Sequence, residues 1–369
     1  MILLLHNRYR IPGGEERAVE DLAWLVPSHL GEPAEVLHRD SGALSGARAA
    51  AGLLAGGLQP GDVAEAVRRT GARVVHAHNV HPDLGRRALE AAREAGARVV
   101  LHLHNYRLVC AVGTCFTRGA DCTRCHGRDT RPGVRLNCRG GSRAEAAVYA
   151  AGLALQQRRL TDAADAFIVP SAFALGRLRA LGAPLGDRAH VIPSVQRELA
   201  LSSAAAAGRF ALAAGRLTPE KGFADAVVAC RAAGVPLVVA GEGPQRTELE
   251  ALAAGADVRF LGRVPPAALA GLRREAALAI VPSRYEEILP LAALEAMAAA
   301  LPVAAARAGG LAEVVPPAGL YPPGDTAALA ERVAALYGDA AAGEEALARA
   351  RERTAPDVVA RALAEVYAA

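Results

Sequence analysis

The amino-acid sequence predicts an α/β protein built from two doubly wound domains, each with a parallel sheet. The chain has 369 residues, which exceeds the size at which one hydrophobic core stops growing. Short apolar runs alternate with alanine-rich helical stretches, and the same alternation recurs in the second half. Runs without polar alternation are typical of strands covered on both faces, and intervening helices make such strands parallel.

The expected strands fall into two series along the chain. The first half contains residues 2–5, 73–78, 98–102, 166–170 and 191–193, and the second contains 210–214, 236–240, 259–261, 278–281 and 302–306. A polar and alanine-rich stretch at 194–208 separates the series, so we expect domains at 1–195 and 196–355. The amphipathic segment 356–369 is expected to pack back on the first domain. Two such domains in series predict a cleft lined by strand carboxyl ends.

Composition and charge narrow the class of protein. The chain is 52% hydrophobic and 22% charged, with a formal net charge of +4. A positive net charge this small is not typical of nucleic-acid-binding proteins, which have a concentrated basic face. It suits a protein that binds small anionic substrates better. No window holds the roughly 18 consecutive apolar residues that span a bilayer. Residues 1–6 are too short for a signal-peptide core. We therefore expect a cytoplasmic protein without a transmembrane segment, and a peripheral membrane contact stays open.

Two glutamates in the segment 282–297 form the strongest chemical signal. Pro290 suits the first position of a helix, where its missing N–H costs nothing. Glu287 would then lie in the preceding loop and Glu295 inside the helix, so that they reach different parts of one ligand. Ionised carboxylates accept strong hydrogen bonds from sugar and ribose hydroxyls. An isolated pair of this kind is more often two exposed helix residues.

Two cations in the segment 215–222 favour the interpretation of Glu287 and Glu295 as ligand-binding residues over that of exposed helix residues. Arg216 and Lys221 follow an expected strand and precede an expected helix, which places them at a strand carboxyl end. There they could hold a diphosphate and stabilise the charge that builds on it during bond cleavage. The alternative is two solvated surface cations.

Together these motifs resemble the family-4 retaining glycosyltransferases of the GT-B fold, and the resemblance covers nearly the whole chain. It rests on Gly13 and Gly14, His104, Arg216 with Lys221, residues 241–244, Glu287 with Glu295, and Gly309 and Gly310 with Glu313. The resemblance implies an N-terminal, acceptor-side Rossmann-like domain and a C-terminal domain that binds the nucleotide sugar.

The resemblance also implies roles for individual residues. Glu287 would contact the donor sugar, Glu295 the ribose, and Arg216 with Lys221 the diphosphate. His104 would line the reaction centre. The remaining donor-binding positions would be Gly13 and Gly14, which allow close backbone approach, together with Ile288, Leu289 and Leu291.

The implied reaction retains the anomeric configuration and needs no catalytic metal or cofactor. The leaving diphosphate itself would accept the proton of the acceptor hydroxyl. The chain departs from the family pattern at Ile288, Leu289 and Pro290, where glycines are common, at Ala300, and at residues 194–196. These departures leave the donor open, and the acceptor could be a glycan, a lipid-linked sugar or a small molecule.

Histidines and cysteines are concentrated in the first half. His76, His78, His81, His102 and His104 lie near two strand ends, but the resemblance accounts for His104 without a metal. We expect the other four to be hydrogen-bonded cleft residues. Five of the six cysteines lie at 110–138, and Cys122 and Cys125 have the spacing of a zinc knuckle. The sequence predicts a structural zinc site at Cys110, Cys122, Cys125 and Cys138, with Cys115 or His126 as substitutes. Free or redox-active thiols are the alternative.

Four other functions compete with sugar transfer. A dinucleotide-dependent oxidoreductase is disfavoured because no strand is followed by an intact G-x-G-x-x-G. A two-lobed binding protein would normally carry an export signal. A GT-B phosphorylase or a nucleotide-sugar epimerase shares the fold, so fold alone does not exclude either one.

Overall fold

The computed structural model describes residues 1–9, 13–139 and 142–369, and these form two compact units. The first unit comprises Met1–Thr117, Cys122–Val195 and Pro356–Ala369, and the second comprises Arg118–Asp121 and Gln196–Ala355. Arg10, Ile11, Pro12, Gly140 and Gly141 lie outside the described residues.

A parallel sheet forms the centre of the first unit. The strands in the first half of the chain are β1 (Ile2–Arg8), β2 (Ala34–Asp40), β3 (Val74–Ala77), β4 (Arg98–His102), β5 (Phe116–Thr117), β6 (Ala120–Asp121), β7 (Ala166–Val169) and β8 (Ala189–Val191). Within the described residues, six of them form one sheet in the order β2-β1-β3-β4-β7-β8. Strand β2 was not expected, because it lies at the sheet edge and is mostly polar, without a continuous apolar run.

Helices cover this first sheet. They are α1 (Gly14–Leu25), α2 (Gly46–Ala55), α3 (Pro60–Thr70), α4 (Gly85–Glu94), α5 (Arg131–Arg135), α6 (Arg143–Asp162), α7 (Ala172–Ala180) and the C-terminal helix (Pro356–Ala368). One core cluster joins Leu4 of β1 and Val100 of β4 to Leu22 of α1 and Leu363 of the C-terminal helix. The C-terminal helix is thus part of the first unit's core.

The second unit repeats this scheme. Its strands are β9 (Ala211–Ala214), β10 (Leu237–Ala240), β11 (Val258–Gly262), β12 (Leu278–Val281), β13 (Val303–Ala306) and β14 (Leu320–Tyr321). Its helices are α8 (Phe223–Ala233), α9 (Arg246–Leu252), α10 (Pro266–Glu275), α11 (Leu291–Ala298), α12 (Leu311–Val314), α13 (Thr326–Leu336) and α14 (Ala340–Thr354). Ala211 and Ala213 face one apolar cluster and Leu212 faces another, so β9 is buried on both sides.

The strand order determines where a ligand site is expected in the second unit. Among its described residues the parallel order is β11-β10-β9-β12-β13-β14. From β9 the chain builds outward to β10 and β11 on one side, and β12 begins the other side. The boundary between β9 and β12 is therefore a topological switch point, where ligands of doubly wound sheets bind at the strand carboxyl ends. The loops 215–222 and 282–290 leave the sheet there.

Candidate functional site

A buried carboxylate lies where the loops after β9 and β12 meet. Glu287 is only 4% exposed. Lys221 Nζ lies 2.6 Å from its Oε1, and the Ser283 hydroxyl donates to the same oxygen at 2.6 Å. The Tyr285 hydroxyl donates to Oε2 at 2.5 Å. Three donors therefore fix both oxygens of Glu287, which satisfies the requirement that a buried charge be paired and hydrogen-bonded.

The phenol in this cluster stays protonated. Burial, together with the negative charge of Glu287 and the hydrogen bond to it, raises the pKa of Tyr285 well above its usual value. Tyr285 therefore acts as a donor to Glu287 throughout the working pH range. We refer to Lys221, Ser283, Tyr285 and Glu287 as the carboxylate cluster.

Two glycines allow these loops to approach each other. Gly222 and Gly309 have φ angles of +68° and +57°, a region that side chains rarely adopt. A Cβ at Gly222 would overlap the carbonyl oxygen of Pro282, and one at Gly309 would overlap that of Glu287. The Gly310 N–H donates to the same Glu287 carbonyl at 2.8 Å. The backbone on both sides of Glu287 is thus fixed by close contacts that only glycine permits.

Arg216 is held less firmly than Lys221. Its side chain is 59% exposed, and it lies 3.7 Å from Glu220. An exposed ion pair at that distance contributes little to stability. Arg216 can therefore exchange Glu220 for an anionic ligand at the same strand end.

An ion pair that the sequence did not predict ties the β12 loop to α8. Arg284 donates through Nε to Asp225 at 2.8 Å and makes a second contact through Nη2. Asp225 is 1% exposed, and the Arg284 N–H donates to the Glu220 carbonyl at 2.8 Å. This bidentate arrangement positions the loop that carries Glu287 against the loop that carries Lys221.

Glu295 has a partner within the protein. Helix α11 begins at Leu291 with Pro290 as its N-cap, one residue later than the sequence predicted. Glu295 lies inside this helix and forms an ion pair with Arg273 of α10, which is 9% exposed. A ribose hydroxyl bound to Glu295 would share the carboxylate with Arg273. The predicted ribose role remains a prediction.

The apolar residues after Glu287 belong largely to the core. Ile288 is buried, and Leu289 and Leu291 are half-buried against the cluster that includes α11 and α14. Their predicted part in donor binding remains a prediction. They anchor the end of the loop whose start carries the carboxylate cluster.

In the first unit, Gly13 caps α1 and Gly14 is its first residue. The Gly13 N–H donates to Glu16 Oε2 at 2.7 Å. The backbone at Gly13 is extended, with φ −145°, and the nearest neighbour of an added Cβ is 3.9 Å away. Apart from Glu16, none of the described residues comes within 4 Å of such a Cβ. The predicted part of Gly13 and Gly14 in donor binding remains a prediction.

His104 belongs to a layer of imidazoles formed by His76 of β3, His102 of β4, and His78 and His104, which follow these strands. His102 and His104 have ring centroids 3.9 Å apart, and His78 Nδ1 lies 2.8 Å from His104 Nε2. His76 shares a hydrogen bond with the Tyr367 hydroxyl at 2.7 Å. Hydrogen bonding was thus correctly expected for His76 and His78, whereas both ring nitrogens of His102 lack a partner among the described residues.

These imidazoles are neutral at physiological pH. Burial lowers the pKa of His76 to about 3 and that of His81 to about 4. Burial also lowers the pKa of His104 to about 3, with a smaller contribution from neighbouring histidines. The pKa values of His78 and His102 are lowered in the same direction for the same reasons. A nitrogen of each of His76, His78 and His102 lies within 4.8 Å of the others.

This layer should make the first unit sensitive to acid. In the unfolded chain each histidine titrates near its usual value of about 6.5, so below that pH the unfolded state binds more protons than the folded state. The free energy of unfolding should then fall by about 1.4 kcal/mol for each such histidine per pH unit below about 6.5. Urea denaturation at about pH 7.5 and about pH 5.5 would measure the loss.

The matched control replaces an exposed histidine. His190→Gln in β8 should leave the pH dependence unchanged, whereas His102→Gln should reduce it, since His190 is exposed and His102 is buried. Equal pH dependence in both variants and the wild type would contradict the prediction.

Part of the chain is similar in sequence to known glycosyltransferases. Residues 208–339 match the family model described as Glycosyl transferases group 1. Glycogen synthase of Mycobacterium tuberculosis is 37% identical over 171 residues, which are 42% of this chain and 41% of the relative. A GDP-mannose-dependent alpha-(1-6)-phosphatidylinositol dimannoside mannosyltransferase of the same species is 40% identical over 107 residues, 27% of this chain and 28% of the relative.

The structural comparison extends over the whole chain. The crystal structure of Anabaena HepE in complex with UDP has a TM-score of 0.62 and 18% identity, and covers 100% of this chain and 99% of that chain. The predicted GT-B fold is confirmed by this match and by the two parallel sheets. The chain aligns with about two fifths of the length of glycogen synthase. None of the helices in the described residues is long and apolar enough to cross a bilayer.

Several residues of this site were not predicted from the sequence. Ser283 and Tyr285 stand four and two positions before Glu287, and their place in the same short segment was the available signal. Arg273 and Asp225 gave no such signal, since they pair with residues of other elements.

Proposed function

We propose that this protein is a family-4 retaining glycosyltransferase that moves a sugar from a nucleoside diphosphate sugar to an acceptor hydroxyl. The observation that supports this most is the carboxylate cluster at the switch point of the second unit. Lys221 and Glu287 both fall within the matched residues 208–339, as do Arg216 and Glu295. The anionic and cationic groups required to hold a sugar and a diphosphate thus belong to one unit.

Lys221 links the two parts of such a donor. Its ammonium group has three N–H donors. One is directed at Glu287 Oε1 at 2.6 Å, and the Tyr285 hydroxyl lies at 3.4 Å. A diphosphate oxygen would take up the remaining capacity, with Arg216 supplying a second cation. Positive charge fixed at this point stabilises the leaving diphosphate as negative charge builds on it.

The reaction exchanges one C–O bond for another. The acceptor oxygen forms a bond to the anomeric carbon while the bond from that carbon to the diphosphate oxygen breaks. The acceptor proton passes to the leaving diphosphate, so no protein base is consumed. Retention of configuration rests on the family resemblance.

Sugar transfer accounts for the matches better than the alternatives. The two relatives described above are a glycogen synthase and a mannosyltransferase. Phosphorolysis and epimerisation are not favoured, since neither is named among the relatives reported above.

A donor screen is the first test. UDP-glucose, GDP-mannose and ADP-glucose would be compared by thermal shift, since a ligand at 100 times its dissociation constant adds about 2.7 kcal/mol to stability. Stabilisation by at least one nucleotide sugar is expected. If neither these donors nor free UDP, GDP and ADP raise the melting temperature, the proposal is wrong.

The stereochemistry and the metal requirement form the next prediction. The sequence has no Asp-x-Asp element of the kind that holds a catalytic divalent metal in other sugar transferases, and Arg216 with Lys221 offers positive charge instead. Transfer should therefore continue in excess chelator and give a product of retained anomeric configuration by NMR. Activity that returns only on addition of magnesium or manganese would refute the first half, and an inverted product the second.

A further inference from the structure

Three buried histidines of the first unit lie together on one face of its sheet. Strands β3 and β4 pair with His76 opposite Val100. Side chains two residues apart along a strand project from the same face, so His78 and His102 take the next position on that face. A ring nitrogen of each of His76, His78 and His102 lies within 4.8 Å of those of the other two, and each residue is at most 6% exposed. We refer to these three residues as the imidazole triad.

Every member of the imidazole triad has a buried nitrogen without a hydrogen-bond partner among the described residues. These atoms are Nε2 of His76, Nε2 of His78 and both ring nitrogens of His102. Buried polar atoms in native proteins are almost always paired, so unpaired ones need an explanation. Each imidazole therefore offers one nitrogen to a group that is not part of the polypeptide.

The other nitrogens of His76 and His78 are held by neighbouring side chains. His76 Nδ1 lies 2.7 Å from the Tyr367 hydroxyl of the C-terminal helix, and His78 Nδ1 lies 2.8 Å from His104 Nε2. A metal-bound histidine typically donates its second ring N–H to a nearby acceptor, which fixes its tautomer and orients the nitrogen that binds the metal. Nδ1 therefore positions each of these two rings and leaves Nε2 as the ligand atom.

The spacing of the three rings suits one shared ion. Their centroids are 4.7 Å apart for His76 and His78, 5.4 Å for His76 and His102, and 5.3 Å for His78 and His102. Imidazoles that bind one ion through bonds of about 2.1 Å have centroids roughly 5 Å apart. A cavity of about 10 Å³ borders His102, which is room for one water-sized ligand. The Asp21 carboxylate of α1, which also pairs with Arg17, lines this cavity and would offset part of the ion's charge.

We propose that His76, His78 and His102 bind one zinc ion, with water as the fourth ligand and with Tyr367 and His104 as positioning residues. Three neutral imidazoles and a water molecule form a known ligand set of zinc, whereas magnesium and calcium prefer oxygen ligands. The ion would join the ends of β3 and β4 and, through Tyr367, the C-terminal helix. Because the imidazole triad is buried, the role assigned to the ion is structural. This inference is independent of the proposed function.

The cysteines of the first unit form a separate group. All five border one small cavity as free thiols, and they are Cys110, Cys115, Cys122, Cys125 and Cys138. Within the part of the chain that the structure describes, no three of their sulfurs approach one another as closely as the nitrogens of the imidazole triad. The zinc site predicted from their spacing remains a prediction without this geometric support. A metal-binding experiment must therefore distinguish imidazole from thiolate ligands.

Metal binding by the full chain, purified without a histidine tag and stripped with chelator, tests the proposal. Equilibrium dialysis against Zn²⁺ should show at least about one tightly bound equivalent, and less than about a tenth would overturn the proposal. Co²⁺ in place of zinc is paramagnetic, so it should shift the exchangeable imidazole N–H signals of His76 and His78 far outside the usual range of the proton NMR spectrum. Bound Co²⁺ without such signals would also overturn it. Neither measurement needs a variant.

Matched variants locate the ion. His102→Gln should lose one equivalent of Zn²⁺, whereas His190→Gln, which changes an exposed histidine of β8, should bind as the wild type does. The double variant Cys122→Ser with Cys125→Ser removes the closest-spaced thiol pair and should keep an equivalent whose Co²⁺ form lacks the intense near-ultraviolet absorption of cobalt–thiolate bonds. Zinc kept by folded His102→Gln but lost from the double variant would place the ion at the cysteines and overturn the proposal.

The positioning role of Tyr367 has its own readout. Tyr367→Phe keeps the ring and removes only the hydroxyl that contacts His76 Nδ1. It should weaken Zn²⁺ binding by about 10- to 100-fold and still reach the same stoichiometry at saturation. Wild-type affinity in this variant would remove Tyr367 from the proposed site.

Discussion

Replacing Glu287 by glutamine is expected to weaken binding of a nucleoside diphosphate sugar by about 10- to 150-fold, because a hydrogen bond to a charged group contributes about 1.5 to 3 kcal/mol. Binding of free UDP or GDP should change much less, since the carboxylate is assigned to the sugar. Isothermal titration with UDP-glucose or GDP-mannose, whichever gives the larger thermal shift, measures the first effect. Titration with the matching diphosphate measures the second.

The contacts of Glu287 indicate that this variant should also have a lower free energy of unfolding than the wild type. Glutamine cannot accept from Ser283, Tyr285 and Lys221 at once, because one of its two polar atoms is a donor. The Tyr285 phenol or the Lys221 ammonium group, each only partly exposed, then loses its acceptor, which should cost about 1 to 3 kcal/mol. Circular dichroism and urea denaturation would show whether the variant is folded.

The control for Glu287 removes the same charge elsewhere in the second unit. Glu331 lies on α13 and is exposed. Glu331→Gln should leave donor affinity unchanged and alter stability by no more than about 0.5 kcal/mol. A folded Glu287→Gln protein that binds the nucleotide sugar as the wild type does would remove Glu287 from the donor site.

The central strands of both sheets were predictable, whereas two of the four edge strands, β2 and β14, were not. Strands such as β1, β3, β12 and β13 are buried on both faces, and a continuous apolar run is the direct consequence of that burial. Edge strand β2 is only partly buried, so its sequence is mostly polar and contains no continuous apolar run. Strand β14 has two residues, too few to carry any periodicity.

The same distinction applies to the site. Residues that lie close together in sequence, such as Arg216 with Lys221 and Glu287 with Glu295, were visible as motifs. The ion pairs of Arg273 with Glu295 and of Asp225 with Arg284 span 22 and 59 residues of sequence. No local pattern relates such partners, because only the order of the strands brings them together.

Alanine substitution should separate the two cations, because the structure holds them differently. Arg216→Ala should weaken binding of UDP or GDP by about 10- to 150-fold, the effect of losing a charged hydrogen bond of about 1.5 to 3 kcal/mol. Stability should change by no more than about 0.5 kcal/mol, since the side chain is 59% exposed. Uridine and guanosine, which lack phosphate, should bind as before.

Lys221→Ala should lower both diphosphate affinity and stability. It removes the cation 2.6 Å from Glu287, whose side chain is 5% exposed, and so leaves a buried carboxylate without its charge partner. Breaking a fully buried pair costs about 3 to 5 kcal/mol, and the partial exposure of Lys221 reduces this to about 1 to 3 kcal/mol. Urea denaturation and titration with UDP and GDP would measure the two losses separately.

Two further variants show whether the loss of affinity comes from the cation itself. Lys221→Arg keeps a positive charge beside Glu287, so it should recover most of the stability, while its planar guanidinium changes the contact to the diphosphate. Arg353→Ala on α14 removes an exposed arginine of the same unit and should change neither quantity. If Arg216→Ala and Lys221→Ala both keep wild-type affinity for UDP and GDP, these cations do not hold the diphosphate, and the charge on the leaving group must be compensated elsewhere in the protein.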